Sequence, residues 1–124
     1  ESPLSTLNGH LFALWAVRDW VAETESAPYR DLLERACEFL RSRLEDYDLG
    51  FWSAYNLFRG LAGIPAIASS MYHELHIAQL KVQSRVFGDD VAFSYAQRFS
   101  EYQQSRLRRS RALATKVVFK LAYF

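Results

Sequence analysis

Two tyrosines, two histidines and a glutamine lie close enough along this chain to share proton-transfer and hydrogen-bond chemistry. In Tyr72-His73-Glu74-Leu75-His76-Ile77-Ala78-Gln79-Leu80, helical spacing puts Tyr72, His76, Gln79 and Gln83 on one face. Each is polar without a permanent charge, and the rest of the stretch is largely apolar. A buried hydrogen-bonding surface for a sugar would have this character. The aromatic, glycine-punctuated run from Tyr47 to Leu57 adds Tyr47 and Tyr55. A free tyrosine titrates near 10, so it carries protons only where its own proton is shared or its ionisation eased. Otherwise it is a core or rim aromatic that needs one partner for its hydroxyl. His73 and His76 stand three apart, and His10 is the remaining histidine. No cysteine or carboxylate completes a ligand spacing around them, so hydrogen bonding is expected and a metal is not. Glu74 lies beside the stripe rather than on it, so no carboxylate pair for glycoside hydrolysis is evident. Asp48, two residues before Gly50, reads as a turn former. No nucleophile elbow, phosphate-cradling loop or dinucleotide fingerprint occurs.

The elements that must position these residues are helical. Asn8 reads as the cap of a first helix over about 10–22, apolar on every face and therefore expected to be buried on more than one side. A second, over 28–44, is amphipathic: Tyr29, Leu32, Leu33, Ala36, Cys37, Leu40 and Leu44 form its apolar stripe. Pro28 suits its first turn, and Asp31 pairs with Arg35. An irregular aromatic loop follows at 47–68, holding Gly50, Gly60, Gly63 and Pro65, with a short extended piece at 51–55. A third helix starts at Ser69 or Ser70 and stops at Gly88. Asp89 or Asp90 caps a fourth, which runs to about Gln103 and buries Ala92, Tyr95, Ala96, Phe99 and Tyr102. A fifth, over 105–122, is expected to bury Leu107, Ala114, Val117, Val118 and Leu121. The alternation of buried and amphipathic helices is that of an all-α arc of an α/α toroid, made of inner and outer antiparallel pairs. About five helices cannot close such a ring.

The 124 residues make one domain at most, half hydrophobic, with a formal net charge of +1. No apolar run approaches the length needed to cross a bilayer, so the chain is not transmembrane. The start at Glu1-Ser2-Pro3 reads as a cut within a longer protein, so a missing targeting segment says nothing of localisation. The lone Cys37 excludes an internal disulfide and reads as a buried, inert thiol. Residues 1–48 carry ten acids and five bases, whereas residues 49–124 carry four acids and ten bases. The basic end suits an anionic partner such as nucleic acid, a membrane surface or an acidic polysaccharide, or else it faces the acidic first half.

In order and spacing, Leu7-Asn8-Gly9-His10, Tyr47-Asp48-x-Gly50, Tyr55-Asn56-Leu57 and Tyr72-His73-x-x-His76-Ile77-x-Gln79-Leu80 resemble the C-terminal domain of the D-glucuronyl C5-epimerases. The resemblance covers nearly the whole chain, and its tail is closer to bacterial than to animal members. It implies a helical toroid that converts D-glucuronate to L-iduronate within heparosan-type chains, without a cofactor. The C5 proton leaves on one face and is replaced on the other, so two proton carriers and groups that stabilise the carboxylate are needed. By position, Tyr55 and Tyr72 match family tyrosines and become the catalytic candidates. Asn8, His10, Tyr47, Arg59, His73, His76 and Gln79 become substrate-binding candidates. The implied partners are a glucuronate-containing acidic polysaccharide and the remainder of the parent chain. There is room for a homodimer, and nucleic acid is not among the partners. Three departures stand out. Phe58 replaces the arginine of the family's Tyr-Asp-Leu-Arg segment, with Arg59 one place later. Asn56 replaces its aspartate. The family's Glu-Glu-Tyr-Pro motif, expected just before residue 1, is not in the chain, so the fragment is expected to be inactive alone. The alternatives are a module that binds an acidic polysaccharide without chemistry, and a related toroidal polysaccharide lyase.

Overall fold

The computed structural model describes residues 5–25, 27–59 and 63–123. Gly60, read as part of the irregular loop, lies outside them. Among the described residues there are five helices: α1 (Leu7–Thr24), α2 (Ala27–Arg43), α3 (Ser70–Phe87), α4 (Asp90–Gln104) and α5 (Arg106–Tyr123). A 3₁₀ turn at Leu44–Tyr47 and two short strands, β1 (Ala54–Arg59) and β2 (Pro65–Ile67), separate α2 from α3. The helices pack α1 on α2 and on α3, and α3 on α4, while α5 lies across β2 and α4. This all-α fold is consistent with an arc of an α/α toroid.

Local chemistry sets the helix boundaries around the site. The Ser69 hydroxyl accepts the Tyr72 amide at 3.3 Å and starts α3, and Gly88 ends it in the left-handed region at φ 62. Asp89 caps α4 through the Ala92 amide at 3.0 Å and also accepts Arg41 Nε at 3.0 Å, which ties α2 to the α3–α4 turn. The first helix departs from expectation. It begins at Leu7 after Thr6, so Asn8 lies inside it rather than capping it. Only Leu7, Leu11 and Leu14 are buried on it, while Phe12 and Trp20 face outward. The physical reason is that α1 packs mainly on α2 and α3, with a smaller contact to β1, and these contacts leave Phe12 and Trp20 exposed.

The loop over 47–68 is more regular than the sequence suggests. Asp48 accepts the Gly50 amide at 2.8 Å, the Arg98 guanidinium at 2.9 Å and the Tyr102 hydroxyl at 3.1 Å. That carboxylate nails the turn to α4. Burial, and then the Asp48 charge, push the Tyr102 hydroxyl up to about 12. Phe51 and Trp52, expected in an extended piece, instead plug the core as the chain turns. The strand begins only at Ala54 and pairs antiparallel with β2, Ala54 opposite Ile67 and Arg59 opposite Pro65. This register carries a bulge between Ala54 and Arg59, within which the Asn56 side chain accepts the Phe58 amide at 3.1 Å.

The fifth helix is the second correction. Of its residues only Ala112 is buried, whereas Leu107 is 85% and Leu121 81% exposed, and Val117 and Val118 are half exposed. Its apolar side is amphipathic as read, but β2 and α4 are too small a surface to cover it. Nor does α5 face the acidic first half through ion pairs. Among the described residues, none of its cations is paired with a carboxylate there.

Candidate functional site

A cleft of about 560 Å³ opens between β1, β2, the start of α3 and the last turns of α5. Tyr55, Asn56 and Phe58 come from β1, Ser69 and Tyr72 from the head of α3, and Lys116, Phe119, Lys120 and Tyr123 from α5. In a flat strand, Tyr55 and Phe58 would point to opposite faces because they are an odd number of residues apart. The bulge brings both to the cleft. The same bulge sends Arg59 to the other side, into a second cleft of about 380 Å³ with Asp48, Phe51, Pro65 and Arg111.

Tyr55 and Tyr72 touch edge to face, with ring centroids 4.7 Å apart at 63°. A hydrogen bond with Tyr72, then burial and the neighbouring phenol's charge, raise Tyr55 above the usual tyrosine value. The phenol is therefore held in its protonated form. Phe58, Phe119 and Tyr123 form an aromatic wall, with Tyr123 lying 5.8 Å from Phe58 and 4.9 Å from Phe119 by ring centroids. Flat apolar walls with a few polar atoms suit the mixed surface of a sugar ring.

The histidines are placed differently. His73 and His76 are fully buried and do not reach the cleft. The Ser53 amide donates to His73 Nδ1 at 3.2 Å, so the ring proton sits on Nε2 and donates to the Phe99 carbonyl at 3.0 Å. Ser53 Oγ lies 2.8 Å from His73 Nδ1 and 2.9 Å from His76 Nδ1. A consistent network has the Ser53 hydroxyl donating to His73 and accepting from His76, with both rings neutral. Burial lowers His73 to about 4 and His76 to about 3. Trp52 stacks on His73 at 3.7 Å between centroids and donates its indole N–H to the Ala68 carbonyl.

The remaining candidates join helices to one another. Gln79 Nε2 donates to the Asn8 carbonyl at 3.3 Å, and Gln83 accepts the Trp15 indole N–H at 3.1 Å. The polar stripe on α3 thus splits: Tyr72 borders the cleft, while His76, Gln79 and Gln83 are closed inside against Ser53, α1 and α2. His10 Nε2 is 2.7 Å from Ser5 Oγ, and the buried Tyr47 donates its hydroxyl to the Ser5 carbonyl at 3.2 Å. Of the nine sequence candidates, the structure gathers Tyr55 and Tyr72 at one cleft. It sets Arg59 at a second and keeps His73, His76, Gln79 and Tyr47 in the interior. Asn8 and His10 are partly buried at the head of α1. The residues that sequence reasoning missed are Lys116, Phe119, Lys120 and Tyr123. Their one local signal was lysine spacing of four on a helix.

Among the described residues, no cluster of three histidine, cysteine or carboxylate groups could hold a metal, and no helix is long and apolar enough to cross a membrane. No solved structure matches the chain. Residues 1–101 match the family described as D-glucuronyl C5-epimerase C-terminus, so that α1 through most of α4, both strands and both tyrosines fall inside the match. The chain belongs to the D-glucuronyl C5-epimerase family, in its C-terminal region.

Proposed function

We propose that this chain forms part of an epimerase that inverts C5 of D-glucuronate to L-iduronate within an acidic polysaccharide, with Tyr55 and Tyr72 carrying a proton. The observation that supports this most is the contact pair of phenols at the mouth of an aromatic cleft. Rings 4.7 Å apart leave no space for a sugar between them, so the pair serves one face of the substrate. Tyr55 is the donor to C5 on that face, and Tyr72, in ring contact with it, is its relay. The base that removes the C5 proton must approach from the opposite face. The resemblance implies a glutamate working together with the tyrosines, and a carboxylate suits that role. As the proton leaves, charge builds on the carboxylate, and cations at the cleft stabilise it most in that state. Asn8, His10, Tyr47, His73, His76 and Gln79 then hold the wall that positions Tyr72, and the glucuronate polymer is the partner.

Incubating the full-length protein with a heparosan-type polymer in deuterated water should place deuterium at C5 and yield iduronate by NMR. An ultraviolet-absorbing unsaturated product would instead identify a lyase, which shares the first step but expels the C4 substituent. One observation favours the non-catalytic alternative: the bulge turns Phe58 rather than a guanidinium into the cleft. Salt-sensitive binding of the polymer with no exchange at C5 would select that reading.

A further inference from the structure

The cleft would take an anionic sugar, yet the family-matched part of the chain gives it no cation. Its lining from β1, β2 and α3 is aromatic, aliphatic or neutral polar, and Arg59 has been turned to the other cleft by the bulge. Among the described residues, positive charge at the cleft comes from α5, beyond residue 101. Lys116 and Lys120 are one turn apart, so both ammonium groups lie along the same edge. Among the described residues, no acid lines the cleft and neither lysine has a carboxylate partner.

We propose that Lys116 and Lys120 bind the substrate carboxylate, so that α5 makes the cleft selective for a uronate over a neutral sugar. Burial, and then the charge of Lys120, lower Lys116 from its ordinary value. Two cations held close together beside an apolar wall are a site short of one negative charge, and a carboxylate relieves both effects. Phe119 lies between the lysines in sequence and shares the cleft with them, so aromatic stacking and charge recognition arrive on one helix. The lysines are specificity residues, whereas the proton carriers remain Tyr55 and Tyr72.

The inference rests on reading the cleft as a uronate site, and its test separates the two. Binding of a glucuronate oligosaccharide to the full-length protein, and of the same oligosaccharide with its carboxyls reduced to alcohols, would be measured by calorimetry. Inorganic sulfate at equal ionic strength serves as a third ligand. Lys116→Gln/Lys120→Gln should weaken binding of the acidic oligosaccharide by roughly 10-fold to 100-fold and leave the reduced one unchanged. Lys116→Arg should retain most of the affinity. Arg106→Gln and Arg109→Gln, on exposed positions of the same helix, should have little effect. Should the double variant fail to fold, Lys120→Gln alone, at an exposed position, should still weaken acid binding several-fold. Equal binding of acidic and reduced oligosaccharides, undiminished binding by the lysine variants, or no binding by the unsubstituted protein would each overturn the proposal. So would sulfate binding as tightly as the oligosaccharide, which would mark a general anion site. Lysine-dependent binding without C5 exchange would leave this inference standing and remove the epimerase reading. Exchange that ignores the lysines would do the reverse.

Discussion

At the scale of single residues, the proposed proton carriers are Tyr55 and Tyr72, whose rings meet edge to face. Tyr55 stays a neutral phenol through neutral pH because its hydrogen bond and its burial both favour the protonated form. In the proposed donor role, it remains competent until the pH passes its raised value. The turnover number, which reports the bound complex, should therefore show no loss assignable to Tyr55 below pH about 10. An alkaline limb in kcat centred below pH 9 that Tyr55→Phe abolishes would contradict this role. Tyr29→Phe on α2 and Tyr95→Phe on α4, both away from the cleft, should leave turnover nearly intact. The two cleft tyrosines were legible in the sequence because their motifs are local. The lysines were not, because nothing in Lys116-x-x-x-Lys120 says that α5 will cross β2. His73 and His76 misled for a related reason: neutral polar residues at helical spacing look the same whether they face a sugar or a buried serine.

At the scale of elements, the Ser53 clasp makes the loop–α3 junction sensitive to acid. Both histidines have folded values well below 6.5, so the unfolded chain binds more protons than the native one between pH about 3 and 6.5. Their contribution to stability is fully present above pH 6.5 and is lost as the pH falls through that window. Urea midpoints should drop steeply between pH 7 and pH 4.5, by more than for a variant carrying His76→Asn. A flat profile over that range would show that the histidines are not buried as described. Asp48 is the second junction. Asp48→Asn keeps the shape but removes the charge that holds Arg98 and Tyr102, and should cost about 2 kcal/mol in chemical denaturation. No measurable loss would mean that the turn holds without α4. Caps at Ser69, Gly88 and Asp89 were readable because each is settled within a few residues. The bulged hairpin was not, since its pairing of Ala54 with Ile67 and the bridge from Thr6 to Asn56 depend on distant chain.

At the scale of the molecule, apolar surface is left uncovered at both ends of the arc. Leu113, Val117 and Leu121 recur every four residues on α5 and are all at least half exposed, and Phe12 and Trp20 are similarly open on α1. The all-helical class and the amphipathic character of α5 were legible from periodicity. What that periodicity could not show is how little of the chain would be available to cover the stripe. Contiguous apolar surface of this kind drives association. The isolated chain should sediment as concentration-dependent oligomers, and Leu113→Lys/Leu121→Lys should shift it toward monomer. A wild-type chain that stays monomeric at all concentrations would show that these faces are individually too small to associate.

Whether the Tyr55–Tyr72 pair moves a proton at C5 can be read from Tyr72→Phe in the full-length protein. The substitution keeps the ring and its packing, so stability should change by only about 1 kcal/mol for the lost hydrogen bond. Deuterium exchange at C5 of a glucuronate polymer should fall by roughly 10²–10⁴-fold, as for removal of a positioned acid or base. Normal exchange with an earlier melting transition would contradict the account and make Tyr72 a structural residue.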